Sequence, residues 1–340
     1  MSQAGDNTVP VTVITGFLGS GKTTVLNHLL RLPELADTAV IINEFGEVSL
    51  DHLLIEQAIE NAVLLKNGCI CCTVRGDIAD TIGELFRKRD TGELPWFARI
   101  AIETTGLADP APVVNTLADL DQPCRLDGIV VTVDALHASK QLVERAEARQ
   151  QIAYADRILL TKTDLATPTA SGRVEQQIRA LNVEALIHRV VDGNVTAAQV
   201  FGFAAELQTA PRRWLRPLHD HGDHHHHHHG GIGSTVLRSN IPISAASLKL
   251  FLDSLLSLRG DQVLRLKGIV QIENGTSPMV LQAVHHVLHD PVPLPPAAQA
   301  AWGSTGSEIV VIHDGLPNAG LQASFAMATG SVAGGVGDDR

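Results

Sequence analysis

A glycine-rich turn near the N-terminus limits what this 340-residue chain can fold into. Residues 16–23 are Gly-Phe-Leu-Gly-Ser-Gly-Lys-Thr, which is the P-loop pattern of a glycine, four residues and then Gly-Lys-Thr. A β-branched run at 11–15 precedes the turn, and an amphipathic segment at 22–31 follows it. The turn therefore connects a buried strand to a helix, which is the context that a phosphate-binding loop requires.

The chemistry of this loop suits a nucleoside triphosphate. Its glycines let the backbone wrap around a phosphate with several N–H groups pointing inward, and the helix adds the positive end of its dipole. Lys22 is placed to contact the β- and γ-phosphates, and the Thr23 hydroxyl is placed to bind Mg²⁺. The alternative is a glycine-rich turn with an incidental lysine. The predicted nucleotide-binding residues of the loop are Gly16, Gly19, Ser20, Gly21, Lys22, Thr23 and Thr24.

A second segment, residues 100–106, has the form of an apolar strand that ends in a carboxylate and then a glycine. Glu103 would reach Mg²⁺ or its waters, and Gly106 would offer a backbone N–H near the γ-phosphate. We therefore predict Lys22, Thr23 and Glu103 as catalytic residues, with Thr23 and Glu103 as the magnesium ligands. The alternative is a strand-end glutamate that is merely solvated.

The base is predicted from residues 161–164, Thr-Lys-Thr-Asp, which resemble the guanine-reading Asn-Lys-x-Asp motif with threonine in place of asparagine. Asp164 would accept hydrogen bonds from guanine N1–H and N2–H₂, whereas adenine presents a bare acceptor at N1 that a carboxylate would repel. Lys162 would lie along the base and ribose. GTP is therefore expected rather than ATP, and an ordinary strand-to-helix turn is the alternative.

Three of the four cysteines lie within four positions. We predict Cys69, Cys71 and Cys72, packed into one turn, as zinc ligands, because thiolates bind Zn²⁺ strongly. The fourth ligand could be a carboxylate, an imidazole or water, and Co²⁺ or Ni²⁺ would also bind. A disulfide between neighbouring cysteines would be strained, so redox use is less attractive. The structural alternative is that the three are small buried apolar residues.

Histidines are also concentrated locally, with eight between 219 and 229. Neutral imidazoles in a flexible segment bind borderline metals loosely, so His224, His225 and His226 are predicted as a weak linker site. A solvated linker without a metal role is the alternative. His285, His286 and His289 could add a C-terminal site, or they could be surface or partner-contact residues.

Strand-like and helix-like segments alternate to about residue 205, and the strands are continuous apolar runs. This pattern predicts an α/β fold with a doubly wound, mostly parallel sheet covered by helices on both faces. A smaller α+β domain is expected to follow a linker rich in proline, glycine and histidine. The predicted organisation is a disordered N-terminus (1–9), a P-loop GTPase domain (10–208), a His-rich linker (209–233), a C-terminal α+β domain (234–328) and a flexible tail (329–340).

Charge and hydropathy exclude several functions. The formal net charge is −11, without a basic tract, which argues against nucleic-acid or anionic-membrane binding as the main activity. No stretch approaches about 18 uninterrupted apolar residues, so no membrane span is predicted. The first ten residues lack the features of a signal peptide, and we expect a cytoplasmic protein.

Five segments follow one another along the chain in this order: 15–24, 43–47 (Asn-Glu-Phe-Gly-Glu), 68–72, 103–106 and 161–164. Together they resemble the CobW-type family of P-loop GTPases, metallochaperones that include zinc-transfer GTPases. The resemblance covers nearly the whole chain, since the His-rich linker and the small second domain are also similar to the family's usual second half. It implies that the cysteine motif is the metal site and that GTP hydrolysis is coupled to metal delivery to a client metalloprotein or metalloenzyme.

Several alternatives stay open at this point. The family's metals include zinc and cobalt, and some members serve cobalamin synthesis or nitrile hydratase maturation. Glu44 and Glu47 lie where GTPases keep a nucleotide-sensing switch, so they are candidate metal ligands or else solvated loop carboxylates, and His52 is a weaker candidate. A passive metal store and a small-metabolite kinase are the competing functions.

Overall fold

The computed structural model describes residues 8–43, 63–64, 70–74, 77–203, 231–302 and 306–330. The chain divides into two compact units, one made of Met1–Ile178 with Ala185–Ala204 and the other of Arg179–Glu184 with Ala205–Arg340. Among the described residues, no helix has both the length and the apolar character needed to cross a membrane. The predicted terminal segments and the His-rich linker fall almost entirely outside the described residues.

The N-terminal unit is built on one large sheet. Its described strands are β1 (Val9–Gly16), β2 (Thr38–Asn43), β3 (Val63–Leu64), β4 (Ile70–Val74), β5 (Arg99–Glu103), β6 (Cys124–Asp134), β7 (Arg157–Thr161) and β8 (Leu186–Arg189). They are arranged in the order β3-β4-β2-β5-β1-β6-β7-β8. All neighbouring pairs are parallel except β3 with β4. The mostly parallel sheet that the apolar runs predicted is thus confirmed.

The central strands of this sheet lack polar alternation because both of their faces are buried. Every residue of β7 is buried, and so are the last six residues of β1. The described helices of the unit are α1 (Lys22–Leu29), α2 (Ile78–Asp90), α3 (Ala111–Ala118), α4 (Ala138–Glu144), α5 (Ala146–Tyr154) and α6 (Pro168–Leu181). This alternation of strand and helix is the doubly wound arrangement.

The sequence of residues 135–154 predicts one long helix, and this prediction is wrong. The chain forms two helices, α4 and α5, because Arg145 between them has an extended backbone with φ −124° and ψ 117°. The Arg149 guanidinium donates hydrogen bonds to the carbonyls of Leu142 and Val143, at 3.0 and 3.2 Å. These bonds satisfy carbonyl groups that the end of α4 would otherwise leave without a partner, which stabilises the break.

The C-terminal unit is a smaller α+β domain, as predicted. Its described strands are β9 (Ile232–Ser239), β10 (Val263–Val270), β11 (Met279–Val284), β12 (Val287–Leu288), β13 (Val292–Pro293) and β14 (Ser307–Asp314). They form an antiparallel sheet in the order β12-β11-β10-β14-β9, with β13 also paired to β11. Its described helices are α7 (Ala245–Arg259), α8 (Pro296–Trp302) and α9 (Asn318–Thr329).

One helix pair forms the core of this unit against the sheet. In α7 the buried residues recur at helical spacing, from Leu248 through Phe251 and Leu252 to Leu255. The Phe251 ring contacts Phe325 of α9 edge-to-face, with centroids 5.2 Å apart. Helices α8 and α9 were not predicted from the sequence. The sequence of residues 279–287 predicts a single strand, but a two-residue turn interrupts it after Val284.

Candidate functional site

The candidate site lies where the central parallel strands of the N-terminal unit end. Strand β1 has β5 on one side and β6 on the other, and β7 lies next to β6. Parallel strands present their carboxyl ends at one edge of the sheet, so the loops that follow them converge there. Gly16, Glu103, Asp134 and Thr161 are the last residues of these four strands.

The glycine-rich turn leads directly from β1 into α1. Gly21 is the N-cap of α1 and has a left-handed backbone, φ 95° and ψ 19°, which a residue with a Cβ adopts only with strain. The Ser20 hydroxyl is hydrogen-bonded to the Thr132 hydroxyl of β6 at 2.6 Å. Thr24 is exposed in the first turn of α1. The loop thus has the backbone form that phosphate binding needs, and a neighbouring strand holds it in place.

The Lys22 ammonium lies over this loop. Its Nζ donates to the carbonyls of Gly16 at 2.9 Å and Phe17 at 3.4 Å. The positive charge is therefore located at the concave side of the loop, where the phosphates of a nucleotide would bind.

The side chains of Thr23 and Glu103 are in contact, as their predicted role as magnesium ligands requires. The Thr23 hydroxyl donates to Oε1 of Glu103 at 2.9 Å, although 80 positions separate them in the chain. Glu103 is only 5 % exposed. A hydroxyl and a carboxylate oxygen at this separation are the hard oxygen ligands that Mg²⁺ prefers, so the donor set fits that ion.

The loop after β5 is held close to the glycine-rich turn. A Cβ at Gly106 would come within 2.8 Å of the Leu18 backbone nitrogen, so the two loops pack backbone to backbone. The buried Gln151 amide of α5 donates to the Gly106 carbonyl at 3.3 Å and to the Ala108 carbonyl at 2.9 Å. Gln151 was not a predicted site residue, since a glutamine inside a helix carries no local signal of this contact.

The predicted base-reading segment contacts the glycine-rich turn in two places. The Thr161 hydroxyl donates to the Ser20 carbonyl at 2.7 Å. The Lys162 ammonium donates to the Gly19 carbonyl at 2.8 Å, and the backbone of Lys162 is left-handed, with φ 57°. Asp164 is exposed in the turn that follows. Threonine therefore supplies a hydroxyl that holds the phosphate loop, at the position where the guanine motif has asparagine.

Asp134 is a site residue that sequence reasoning missed. Its Oδ2 accepts hydrogen bonds from Lys162 Nζ at 2.6 Å and from His137 Nδ1 at 2.8 Å, and its Oδ1 accepts from the Leu136 N–H at 2.8 Å. Burial alone would raise the pKa of Asp134, but these hydrogen bonds, led by that from Lys162, outweigh it and lower the pKa. Asp134 therefore stays ionised and fixes Lys162. The available signal was an apolar strand ending in a carboxylate, as at Glu103.

The backbone of the cysteine motif is described in part. Cys71 and Cys72 are adjacent residues of β4, paired with Val40 and Ile41 of β2. The expectation that all three thiols share one turn is therefore wrong for these two. Cys69 lies outside the described residues, as do Glu44, Glu47, His52, His224, His225 and His226.

The strand register relates the cysteine motif to the nucleotide site. Thr73, the residue after Cys72, pairs with Ile42 of β2, and Ile42 pairs with Glu103 of β5. Neighbouring strands lie about 4.8 Å apart, so the backbones of β4 and β5 are separated by about 10 Å, with β2 between them. Cys72 comes one residue before the position that is in register with Glu103.

Comparison with known proteins gives matches over both units. The family model described as "CobW/HypB/UreG, nucleotide-binding domain" matches residues 10–189, and that of the "Cobalamin synthesis protein cobW C-terminal domain" matches residues 232–329. A zinc chaperone, YjiA of Escherichia coli, is 34 % identical over 331 residues, covering 94 % of this chain and 98 % of that protein. A zinc-regulated GTPase metalloprotein activator of Schizosaccharomyces pombe is 36 % identical over 197 residues, covering 55 % of this chain and 47 % of that protein.

A solved structure is similar over the same extent. The crystal structure of Zn(II)-bound YjiA GTPase from E. coli superposes with a TM-score of 0.72 at 30 % sequence identity, covering 94 % of this chain and 99 % of that one.

Proposed function

Since the chain belongs to the CobW family, whose nucleotide-binding model matches more than half of it, we propose that it is a GTP-hydrolysing zinc chaperone. Its cysteine motif, Cys69, Cys71 and Cys72, would bind Zn²⁺, and GTP hydrolysis would drive transfer of the metal to a client metalloprotein. The similarity to YjiA, which is a zinc chaperone by name, supports zinc rather than cobalt as the cargo. Glu44 or Glu47 is the proposed fourth ligand, and the linker histidines His224–His226 are proposed to bind zinc loosely.

The proposed GTPase chemistry follows from the contacts of the loop. Lys22 would exchange its bonds to the Gly16 and Phe17 carbonyls for bonds to the β- and γ-phosphates, where negative charge develops. Bound Mg²⁺ would neutralise phosphate charge, and the paired Thr23 and Glu103 oxygens are the groups that would hold it.

Recognition of the base is proposed for the segment after β7. Asp164 is exposed and so is accessible to the guanine N1–H and N2–H₂ groups. Lys162, fixed by Asp134 and by the Gly19 carbonyl, would lie along the base and ribose while remaining connected to the phosphate loop. The same lysine would thus connect the base site to the phosphate site.

The observation that carries the proposed coupling is the register across β2. Glu103, next to the proposed γ-phosphate position, lies one strand from Ile42 and two strands from Thr73, which follows Cys72. Strand β2 also leads directly into the segment that contains Glu44 and Glu47. A shift at the end of β2 that depends on the γ-phosphate would therefore act on the cysteine motif within about 10 Å, a distance of two strand spacings.

Reciprocal coupling tests this proposal. GTP turnover and GTP affinity are measured with and without Zn²⁺, and Zn²⁺ affinity is measured with GDP and with a non-hydrolysable GTP analogue. Because linkage is reciprocal, each ligand must change the affinity for the other by the same factor. Replacing Cys71 and Cys72 with serine should abolish the tight Zn²⁺ site and the effect of zinc on turnover.

The matched control is Cys124→Ser, which replaces the cysteine outside the motif and should leave both measurements unchanged. Absence of any effect of nucleotide on Zn²⁺ affinity in the native chain would contradict the chaperone proposal. A zinc store would then be favoured.

A further inference from the structure

A hairpin turn in the C-terminal unit places two histidines beside an aspartate. Val284 pairs with Val287, so β11 and β12 are joined by a turn of two residues, His285 and His286. Asp261 lies in the short turn between α7 and β10. One nitrogen of each imidazole and one carboxylate oxygen of Asp261 lie within 4.8 Å of one another. Two imidazoles and a carboxylate are a common ligand set for divalent transition metals.

The individual distances fit a small ion. Nε2 of His286 lies 2.9 Å from Oδ1 of Asp261, and Nε2 of His285 lies 3.9 Å from the same oxygen. Zinc–nitrogen and zinc–oxygen bonds of about 2.0–2.2 Å place neighbouring tetrahedral ligands about 3.3 Å apart, which these two distances bracket. The Asp261 side chain is 88 % exposed, so it can adjust its oxygen to an ion without disturbing the core.

The Nδ1 atom of His286 is hydrogen-bonded to a backbone carbonyl, as the ring nitrogen that does not bind the metal often is in metal-binding histidines. Nδ1 lies 3.1 Å from the Leu256 carbonyl, which can only accept a hydrogen bond. Nδ1 therefore carries the proton, and Nε2 is the nitrogen that faces Asp261 and is available to a metal. A metal ion between Nε2 and the carboxylate would bind to both groups.

Two backbone features hold this arrangement. His285 has φ 55°, a left-handed conformation that glycine or asparagine usually supplies in a hairpin turn. The His286 ring lies directly on Gly260, where a Cβ would collide with Nδ1. The chain thus has histidine where the turn favours glycine, and glycine where the histidine ring needs room. Such local strain is more frequent at functional sites than elsewhere.

We propose that Asp261, His285 and His286 form a binding site for one divalent transition-metal ion on the C-terminal domain, with Zn²⁺ as the ion to test. Three protein ligands leave a fourth position toward solvent, since the side chains of Asp261 and His286 are 88 % and 43 % exposed. An open and exposed position favours rapid exchange over permanent structural binding. The site shares no residue with the cysteine motif, so its failure would leave the proposed chaperone function untouched.

The test uses a full-length chain in which the three motif cysteines are serine and the histidines of 219–229 are glutamine. Titration of Zn²⁺ against a chromophoric chelator should show one bound equivalent. Asp261→Asn and His286→Gln should each weaken it at least tenfold, whereas His289→Gln, on the same hairpin but outside the cluster, should not. Absence of a stoichiometric site, or equal weakening by His289→Gln, would overturn the proposal.

A second variant tests the geometry while all three ligands are kept. Gly260 has φ −53° and ψ −37°, which alanine also adopts, so Gly260→Ala affects mainly the position of the His286 ring. It should lose the zinc that the parent chain binds, and undiminished binding would contradict the assigned contacts. In the native full-length chain, Zn²⁺ should slow acylation of His286 by diethyl pyrocarbonate relative to His289, and equal rates for the two would also refute the site.

Discussion

Asp134→Asn is the most informative single change in the nucleotide site. The carboxylate is 3 % exposed and bonds the Lys162 ammonium at 2.6 Å, and its other oxygen accepts from the Leu136 N–H. An asparagine can keep the bond from Leu136 through its own oxygen. Its NH₂ group would then face the Lys162 ammonium and His137. The change therefore removes the negative charge that pairs with Lys162 and places one hydrogen-bond donor against another.

The size of the effect follows from these contacts. A hydrogen bond between charged groups contributes about 1.5–3 kcal/mol when it is buried, and the 34 % exposure of Lys162 screens part of this. We expect a loss of about 2 kcal/mol in the free energy of unfolding, which corresponds to a fall of about 4–8 °C in the melting temperature of a unit of this size.

The same change should alter the pH dependence of stability. The pKa of Asp134 is lowered in the folded protein, so its contribution is present above the ordinary pKa of about 3.9 and is lost as the pH falls through the folded value. Asparagine does not titrate, so the variant should lose less stability than the native protein on acidification below about pH 4.

Steady-state kinetics and calorimetry check the prediction. Lys162 contacts the proposed base side of the nucleotide, so KM for GTP should rise about tenfold, equivalent to about 1.4 kcal/mol, while kcat changes by less than about threefold. A cycle of Asp134→Asn, Lys162→Met and the double variant should give a coupling energy of at least about 1 kcal/mol. An unchanged KM, or a coupling energy near zero, would refute the reasoning.

Three further predictions concern the proposed GTPase and its metal. Lys22→Ala should reduce GTP turnover at least about 100-fold through loss of phosphate charge stabilisation, while Lys140→Ala, a surface lysine that is 78 % exposed, should not. Asp164→Asn should improve turnover of xanthosine triphosphate relative to GTP, because an amide can donate to the xanthine O2 that a carboxylate repels; unaltered selectivity would contradict the base assignment. Deletion of 219–229 should lower the total bound zinc measured by metal analysis but leave one tight site and GTP turnover intact, because the tight site is proposed at the cysteine motif, outside the deleted residues.

Local patterns in the sequence were sufficient for much of the fold and for part of the site. The glycine-rich turn has fixed offsets and lies between a strand and a helix, so its position needs no knowledge of the rest of the chain. The continuous apolar runs predicted a parallel sheet, and a parallel sheet places all strand ends at one edge. Thr23 and Glu103, which are 80 positions apart, were predicted as magnesium ligands, and this arrangement of strand ends brings them into contact.

Features that depend on contacts between distant side chains were missed. Asp134 ends an apolar strand, as Glu103 does, but its role becomes evident only with Lys162 beside it. The break at Arg145 depends on a side chain four residues later that bonds the preceding carbonyls. Helix α9 contains a glycine and many alanines, so its buried Leu321 and Phe325 form too weak a pattern to predict it.

The bonds that fix the glycine-rich turn have a consequence for how fast and how selectively it binds its ligand. The carbonyls of Gly19 and Ser20 accept hydrogen bonds from Lys162 and Thr161, and the Ser20 hydroxyl is bonded to Thr132. The fold itself therefore supplies the ordering that a flexible loop would have to undergo at the moment of binding. Association should therefore be limited by diffusion and electrostatics. A ligand too short to contact both Lys22 and Lys162 should bind weakly, because a rigid loop does not rearrange to replace the missing contact.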